Sequence, residues 1–150
     1  MDIQYLYMLL ILISILIILL LIFKSRKIKI KIEKCDKITP KEKSLIESKD
    51  LYYKWNEEFH IIRINGKLEG LIETDYAEFE KSFLIIFFEV INKGKGKGTI
   101  IVNWLINDLK DEKRVDYIEL NADNNSESFW KKFGFVSDNS PEKNMSLNVK

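Results

Sequence analysis

The chain has 150 residues, room for one domain rather than two. Its 24 basic and 23 acidic residues leave a formal charge of +1, without the broad basic excess of a nucleic-acid-binding domain. The single cysteine, Cys35, excludes an intramolecular disulfide and makes a reducing compartment the natural setting. Hydrophobic residues make up 46% of the chain, but much of that content lies in the first 23 residues. The remainder is a charged chain still long enough to bury a core.

From Ile3 to Phe23 the sequence carries no charge, and only Gln4 and Ser14 are clearly polar. At about 1.5 Å per residue such a helix spans roughly 30 Å, the thickness of a bilayer's hydrocarbon core. A helix apolar on every side calls for lipid or a much larger protein around it. A secretory leader fits poorly, because Asp2 comes first and the basic residues follow the apolar run. Tyr5 and Tyr7 sit where an aromatic belt would lie. Lys24, Arg26, Lys27, Lys29, Lys31 and Lys34 crowd the C-terminal flank, so the positive-inside rule places the rest of the chain in the cytoplasm. The expected organisation is a single-pass membrane anchor over 1–25 and one domain over 26–150. The basic cluster is read as a topology signal combined with the solvent face of a first strand.

That strand is the alternating segment Lys27 to Glu33, with Ile28, Ile30 and Ile32 predicted to face the core. It starts a few residues after the apolar run, so the domain is expected to hug the bilayer. Thr39-Pro40-Lys41-Glu42 is a capping box with proline at the first helical position. It predicts a helix to about Ser48 with Leu45 and Ile46 inward. Asp50 to Glu58 carries three aromatic residues that could line a pocket or simply pack. Phe59 to Ile64 and Lys67 to about Thr74 read as a hairpin around Asn65-Gly66. Ser82 to Val90 is continuously apolar apart from Glu89, which predicts a central strand buried on both faces. Thr99 to Lys110 has helical spacing at Ile100, Ile101, Trp104, Leu105 and Leu109. Val115 to Leu120 is a strand, and Ser126 to Phe133 a short helix ended by Gly134. Phe135-Val136 and Met145 to Val149 are short final strands. The order β-α-β-β-β-α-β-α-β-β predicts a mixed α/β sheet with helices on its faces.

Between the central strand and the second helix lies Lys93-Gly94-Lys95-Gly96-Lys97-Gly98-Thr99. Three glycines allow close backbone approach, and the helix N-terminus behind them offers unpaired N–H groups to an anion such as a pyrophosphate. Taken alone, the loop fits a solvated turn equally well. It is neither a P-loop nor a dinucleotide fingerprint, since the glycine spacings differ from both.

A second segment, Asn121 to Phe135 (NADNNSESFWKKFGF), follows the strand VDYIEL. Together the two segments resemble the GNAT (Gcn5-related N-acetyltransferase) superfamily. Its pyrophosphate motif is Gln/Arg-x-x-Gly-x-Gly/Ala, and Lys93, Gly96 and Gly98 occupy those places. Asn124, Trp130, Gly134 and Phe135 match the family's later asparagine, aromatic helix and Gly-Phe. The hairpin HIIRINGKLEGLIET also looks like the family's second and third strands, so the resemblance covers roughly Lys27 to Lys150.

The resemblance implies a GNAT-like acyl-CoA N-acyltransferase fold, with acetyl-CoA lying in a splay between the fourth and fifth strands. Backbone groups of Phe88, Glu89 and Val90 would hold the pantetheine and the acetyl carbonyl. N–H groups from Lys93 through Thr99 (Gly94, Lys95, Gly96, Lys97 and Gly98 between them) would bind the pyrophosphate, with Asn124 and Trp130 also on the cofactor. The expected reaction is direct attack of a substrate amine on the thioester. It requires a base, an oxyanion-stabilising N–H and an acid for the thiolate.

The sequence departs from the family pattern at both acid–base positions. Trp130 stands where a tyrosine often acts as acid, and Ser82 aligns with the glutamate base of some members. Among Glu80, Glu89 and Glu119, the base is assigned to Glu89, with Tyr117 as the acid. His60 and Cys35 are read as structural, although a juxtamembrane cysteine permits S-palmitoylation in a eukaryotic setting. No metal-ligand cluster is expected. The expected function is acetyl-CoA-dependent N-acetyltransfer to an amine at the cytoplasmic membrane face. The alternative is a catalytically weak or inactive acyl-CoA-binding module on a membrane anchor.

Overall fold

The structure, a computed structural model, describes residues 7–8, 10–17, 28–49, 59–113, 115–123 and 125–150. Its centre is one mixed seven-stranded sheet. The strands are β1 (Ile30–Lys34), β2 (Phe59–Ile64), β3 (Lys67–Ala77), β4 (Ser82–Val90), β5 (Tyr117–Asn121), β6 (Val136–Ser137) and β7 (Asn144–Asn148). Their spatial order is β1-β2-β3-β4-β5-β7-β6, with every pair antiparallel except β4–β5. The helices are α1 (Pro40–Glu47), α2 (Lys97–Glu112) and α3 (Glu127–Lys131). The predicted order of elements is the observed one, apart from a short 3-10 turn at Cys35–Lys37.

Helix α2 buries Ile101, Val102, Leu105, Ile106 and Leu109 on one sheet face, against residues such as Ile62, Ile72, Ile85 and Ile118. Helix α1 covers the other face through Ile46, packed with Ile61, Leu68, Leu71 and Ile91. The capping box forms as expected: the Thr39 hydroxyl accepts from the Glu42 amide and the Glu42 carboxylate accepts from the Thr39 amide. The same carboxylate pairs with Arg63 on β2, joined to Glu33 on β1 at 2.9 Å. One guanidinium therefore ties α1 to two strands. Bidentate pairing holds the Glu42 carboxyl down at about 2, well below the usual carboxylate value.

Four expectations need correction. Ile28 is exposed, because β1 begins only at Ile30, where it first finds a partner in Ile64. Leu45 is also exposed, since so short a helix turns only Ile46 fully onto the sheet. Helix α2 starts two residues earlier than predicted, so the last glycine of the loop is already helical. Strand β4 is not buried on both faces: Ile86 is 57% exposed. The cause is a bulge, because Phe87 pairs with Glu73 and Ile85 with Thr74, leaving Ile86 as the extra residue.

The N-terminal apolar stretch is helical at 7–8 and 10–17. The rest of the predicted span 3–23 lies outside the described residues. Among the described residues, no helix is long and apolar enough to cross a membrane.

Candidate functional site

Strands β4 and β5 run side by side only from Ser82↔Tyr117 to Ile85↔Leu120. Beyond that point β4 stays with β3 as far as Val90, while β5 continues with β7. The bulge at Ile86 sits where the two part. The second half of β4 is thereby left with a free edge, whose backbone groups need an outside partner. A groove of about 660 Å³ opens along this edge.

The glycine loop forms the head of the groove. Gly94 and Gly96 hold positive φ values of +80° and +69°, and Gly96 is the N-cap of α2 with no side chain to satisfy the helix. The first intrahelical bond runs from the Ile100 amide to the Gly96 carbonyl at 3.2 Å. The amides of Lys97, Gly98 and Thr99 therefore have no acceptor within the helix, and no acid lies in its first turn. Three amides, the helix dipole and Lys93 together define an anion site. Gly98 permits close packing: a Cβ there would meet the Phe129 ring at 3.3 Å and Val90 at 3.4 Å. Lys97 reaches back to the nearly buried Glu69 carboxylate at 3.3 Å, which ties the loop to the β3 bulge.

Aromatic residues form the lower wall. Phe88 lies nearly parallel to Phe129, with ring centroids 6.5 Å apart, and meets Trp130 edge-on at 5.7 Å. Trp130 is only 5% exposed and also packs on Phe135, so it is as much core as lining. At the mouth, the Ser126 hydroxyl and neighbouring amides hold the Asp123 carboxyl below its ordinary value.

The structure brings together Phe88, Glu89, Val90, Lys93, Gly94, Gly96, Lys97, Gly98, Thr99 and Trp130 around one groove. Lys95 is an exposed loop residue outside the lining, and Asn124 lies outside the described residues. Glu89 borders the groove but is engaged by Lys93 at 2.8 Å. Tyr117 is not brought to the site. It pairs with Ser82 at the start of the parallel pair, at the far end from the groove, and Ser82 itself is buried there. Counting back from a motif misses this placement, because a bulge and a splay change what the end of a strand faces.

Sequence reasoning also missed a second cavity, of about 530 Å³, which shares the walls Ile85, Ile86, Leu120 and Asn121 with the first. Glu119, Asp138, Asn144 and Ser146 line it, and among the described residues no cation does. Glu119 is half-buried there and, among the described residues, holds no ion pair. The sequence signal for it was the polar alternation of β5 beside β7, which reads only as a solvent face until the gap between β4 and β5 is known. Among the described residues no group of metal-ligating side chains forms.

A groove along a free strand edge, walled by Phe88, Phe129 and Trp130 and ending in a backbone anion cradle, fits a thioester on a long arm with a pyrophosphate at its far end. These features define an acyl-CoA-dependent transferase. Residues 35–147 match the family described as "Acetyltransferase (GNAT) domain". The chain belongs to this family of acetyltransferases, which use acetyl-CoA as acyl donor. Several solved structures share the fold. Tetrahymena GCN5 is 17% identical with a TM-score of 0.60, over 81% of this chain and 96% of that one. The Campylobacter jejuni N-acetyltransferase PseH is 14% identical with a TM-score of 0.61, over 81% and 99%. The Bacillus subtilis N-acetyltransferase YlbP, solved in complex with coenzyme A, is 15% identical with a TM-score of 0.56, over 80% and 97%. No curated protein sequence matches the chain.

Proposed function

We propose that this acetyltransferase modifies an amine at the cytoplasmic face of a membrane, with residues 3–23 as its anchor and 26–150 as its working domain. The observation that carries the site assignment is the splay: β4 loses its partner after Ile85, directly below the bare N-terminus of α2. The anchor is supported by the unbroken apolar run and its basic flank. It is also supported by the described apolar side chains at 7–8, 10–13 and 15–17, which are 45–66% exposed on all sides of the helix. So much apolar surface is at home in lipid rather than water.

Bound acetyl-CoA supplies an electrophilic thioester carbonyl. The amides of Lys97, Gly98 and Thr99 bind its pyrophosphate, and Lys93 adds charge. The free backbone groups of Phe88 and Val90 align the pantetheine and donate to the acetyl oxygen, while those of Glu89 face β3. Phe88, Phe129 and Trp130 keep water from the arm. The acceptor amine comes from the second cavity, where Glu119 takes its proton directly or through a water. Glu89 is held by Lys93 and keeps the loop against β4. Trp130 has no acidic proton to give the thiolate, so that proton comes from solvent. The buried Trp130 and the distant Tyr117 favour one second reading, an acyl-CoA-binding module without turnover.

The test is titration of acetyl-CoA into the full chain in nanodiscs, followed by thiol release with a panel of primary amines and peptide N-termini. Binding with turnover supports the enzyme. Binding without turnover on any amine supports the module, and absence of binding by folded protein refutes both.

A further inference from the structure

We propose that the end of the sheet bearing the Asn65-Gly66 turn and the glycine loop is a lipid-facing surface that binds anionic headgroups of the bilayer. The proposal rests on the anchor reading above and adds an orientation and a ligand class to it.

Three observations carry it. The first is tether length. Ile28 follows Phe23 by five residues, which span at most about 18 Å even when fully extended. The second is where that tether joins the sheet. Ile30 pairs with Ile64, the Lys29 amide donates to the Asn65 side chain at 3.0 Å, and the Asn65 amide donates to the Lys29 carbonyl at 2.8 Å. The chain thus meets the sheet at its β2–β3 turn. Val90 pairs with Gly70 near that same end, so the glycine loop lies there too, while the 78–81 turn lies at the other.

The third observation is charge. Lys29 and Lys67 are exposed on either side of the Asn65-Gly66 turn, and Lys95 is exposed on the loop. Near these lysines Glu42 is matched by Arg63, Glu69 by Lys97 and Glu89 by Lys93, while Asp123, Asp138 and Glu142 stand at the same end but on the β5–β7 side of the sheet. At the opposite end, Asp75, Glu78 and Glu80 outnumber Lys81 around the β3–β4 turn, while Asp111 and Glu112 at the end of α2 are offset by Lys110 and Lys113. The two turns at opposite ends of β3 therefore differ in charge, with exposed lysines toward the tether and a net negative charge away from it. An anionic bilayer attracts the first end and repels the second, which leaves one favoured orientation. The open half of the β4–β5 splay lies toward the basic end, so the acceptor amine is met at the headgroup level.

The experiment uses the full chain with Cys35→Ser and a single bimane-labelled cysteine at either Lys67→Cys or Phe79→Cys, Phe79 being 99% exposed at the far turn. Each is placed in nanodiscs containing headgroup-nitroxide lipid, with or without phosphatidylserine. With phosphatidylserine, the label at 67 is expected to be quenched at least about twofold more than the label at 79. That difference should shrink on adding Lys29→Glu, and at about 1 M salt, where screening length falls to about 3 Å. Equal quenching of the two labels overturns the orientation. Equal quenching of label 67 with and without phosphatidylserine overturns headgroup binding. A chain that fails to float with vesicles overturns the anchor reading itself, and the proposal with it.

Discussion

Replacing Glu42 with Gln isolates the charge of the ion pair that fastens α1 to the sheet. Glutamine can still accept from the Thr39 amide, so the capping box survives and only the carboxylate facing Arg63 is lost. Glu42 falls from 4.5 to about 2 in the folded chain, chiefly through its bond from Arg63. The difference corresponds to roughly 3 kcal/mol of stability at neutral pH. Because the folded value is depressed, this stability is fully present above about pH 5 and is lost as pH falls toward 2, with half gone near pH 3. Urea unfolding of wild type and Glu42→Gln in detergent, followed by tryptophan fluorescence between pH 2 and 7, measures it. The variant is expected to be less stable by about 2–3 kcal/mol at pH 7, with the gap narrowing steeply below pH 4. Carboxylates away from Arg63 titrate in both proteins and cancel in the difference, whereas Glu33 shares that guanidinium and does not. Parallel curves with a constant gap would refute the ion-pair account and leave only a packing role for Glu42.

Gly98→Val places its extra carbons against Phe129 and Val90, so acetyl-CoA affinity by calorimetry should fall at least about tenfold in a protein that still folds. Glu119→Gln is expected to lower kcat by about 10²–10⁴, because a glutamine side chain cannot take the amine proton. Glu89→Gln should cost much less kcat; the reverse ranking in steady-state assays rejects Glu119 as the base. A Cβ at Gly70 would lie 2.9 Å from the Glu89 carbonyl oxygen, so Gly70→Ala should destabilise the β3–β4 pair by about 1–3 kcal/mol in thermal unfolding.

What was legible in the sequence was what local chemistry dictates. The Thr39 capping box, the Asn65-Gly66 turn, the periodicity of α2 and the glycines before it are each set within a few residues. They gave the element order and most of the groove's polar lining. The exposure of Ile86, the position of Tyr117 and the cavity beside Glu119 were not legible, because those environments depend on pairing between distant strands. In SFLIIFFEV nothing marks Ile86 as the extra residue, since the bulge is decided by how β3 fits alongside. In VDYIEL, Tyr117 and Glu119 look alike as outward-facing polar residues. Two residues of stagger, and the point where β5 leaves β4, put one in a cavity and the other at the far end.

The same reasoning explains why the glycine loop alone was ambiguous and the folded site is not. Gly94 and Gly96 at positive φ could serve any tight turn. The loop becomes a ligand site because it caps a helix whose first turn lacks acids, directly above a strand edge left open by the splay. Each half leaves backbone polar groups that the rest of the described chain does not satisfy. One ligand with a pyrophosphate at one end and an amide-bearing arm at the other satisfies both. A solvated turn needs neither the splay nor the aromatic wall of Phe88 and Phe129 beneath it.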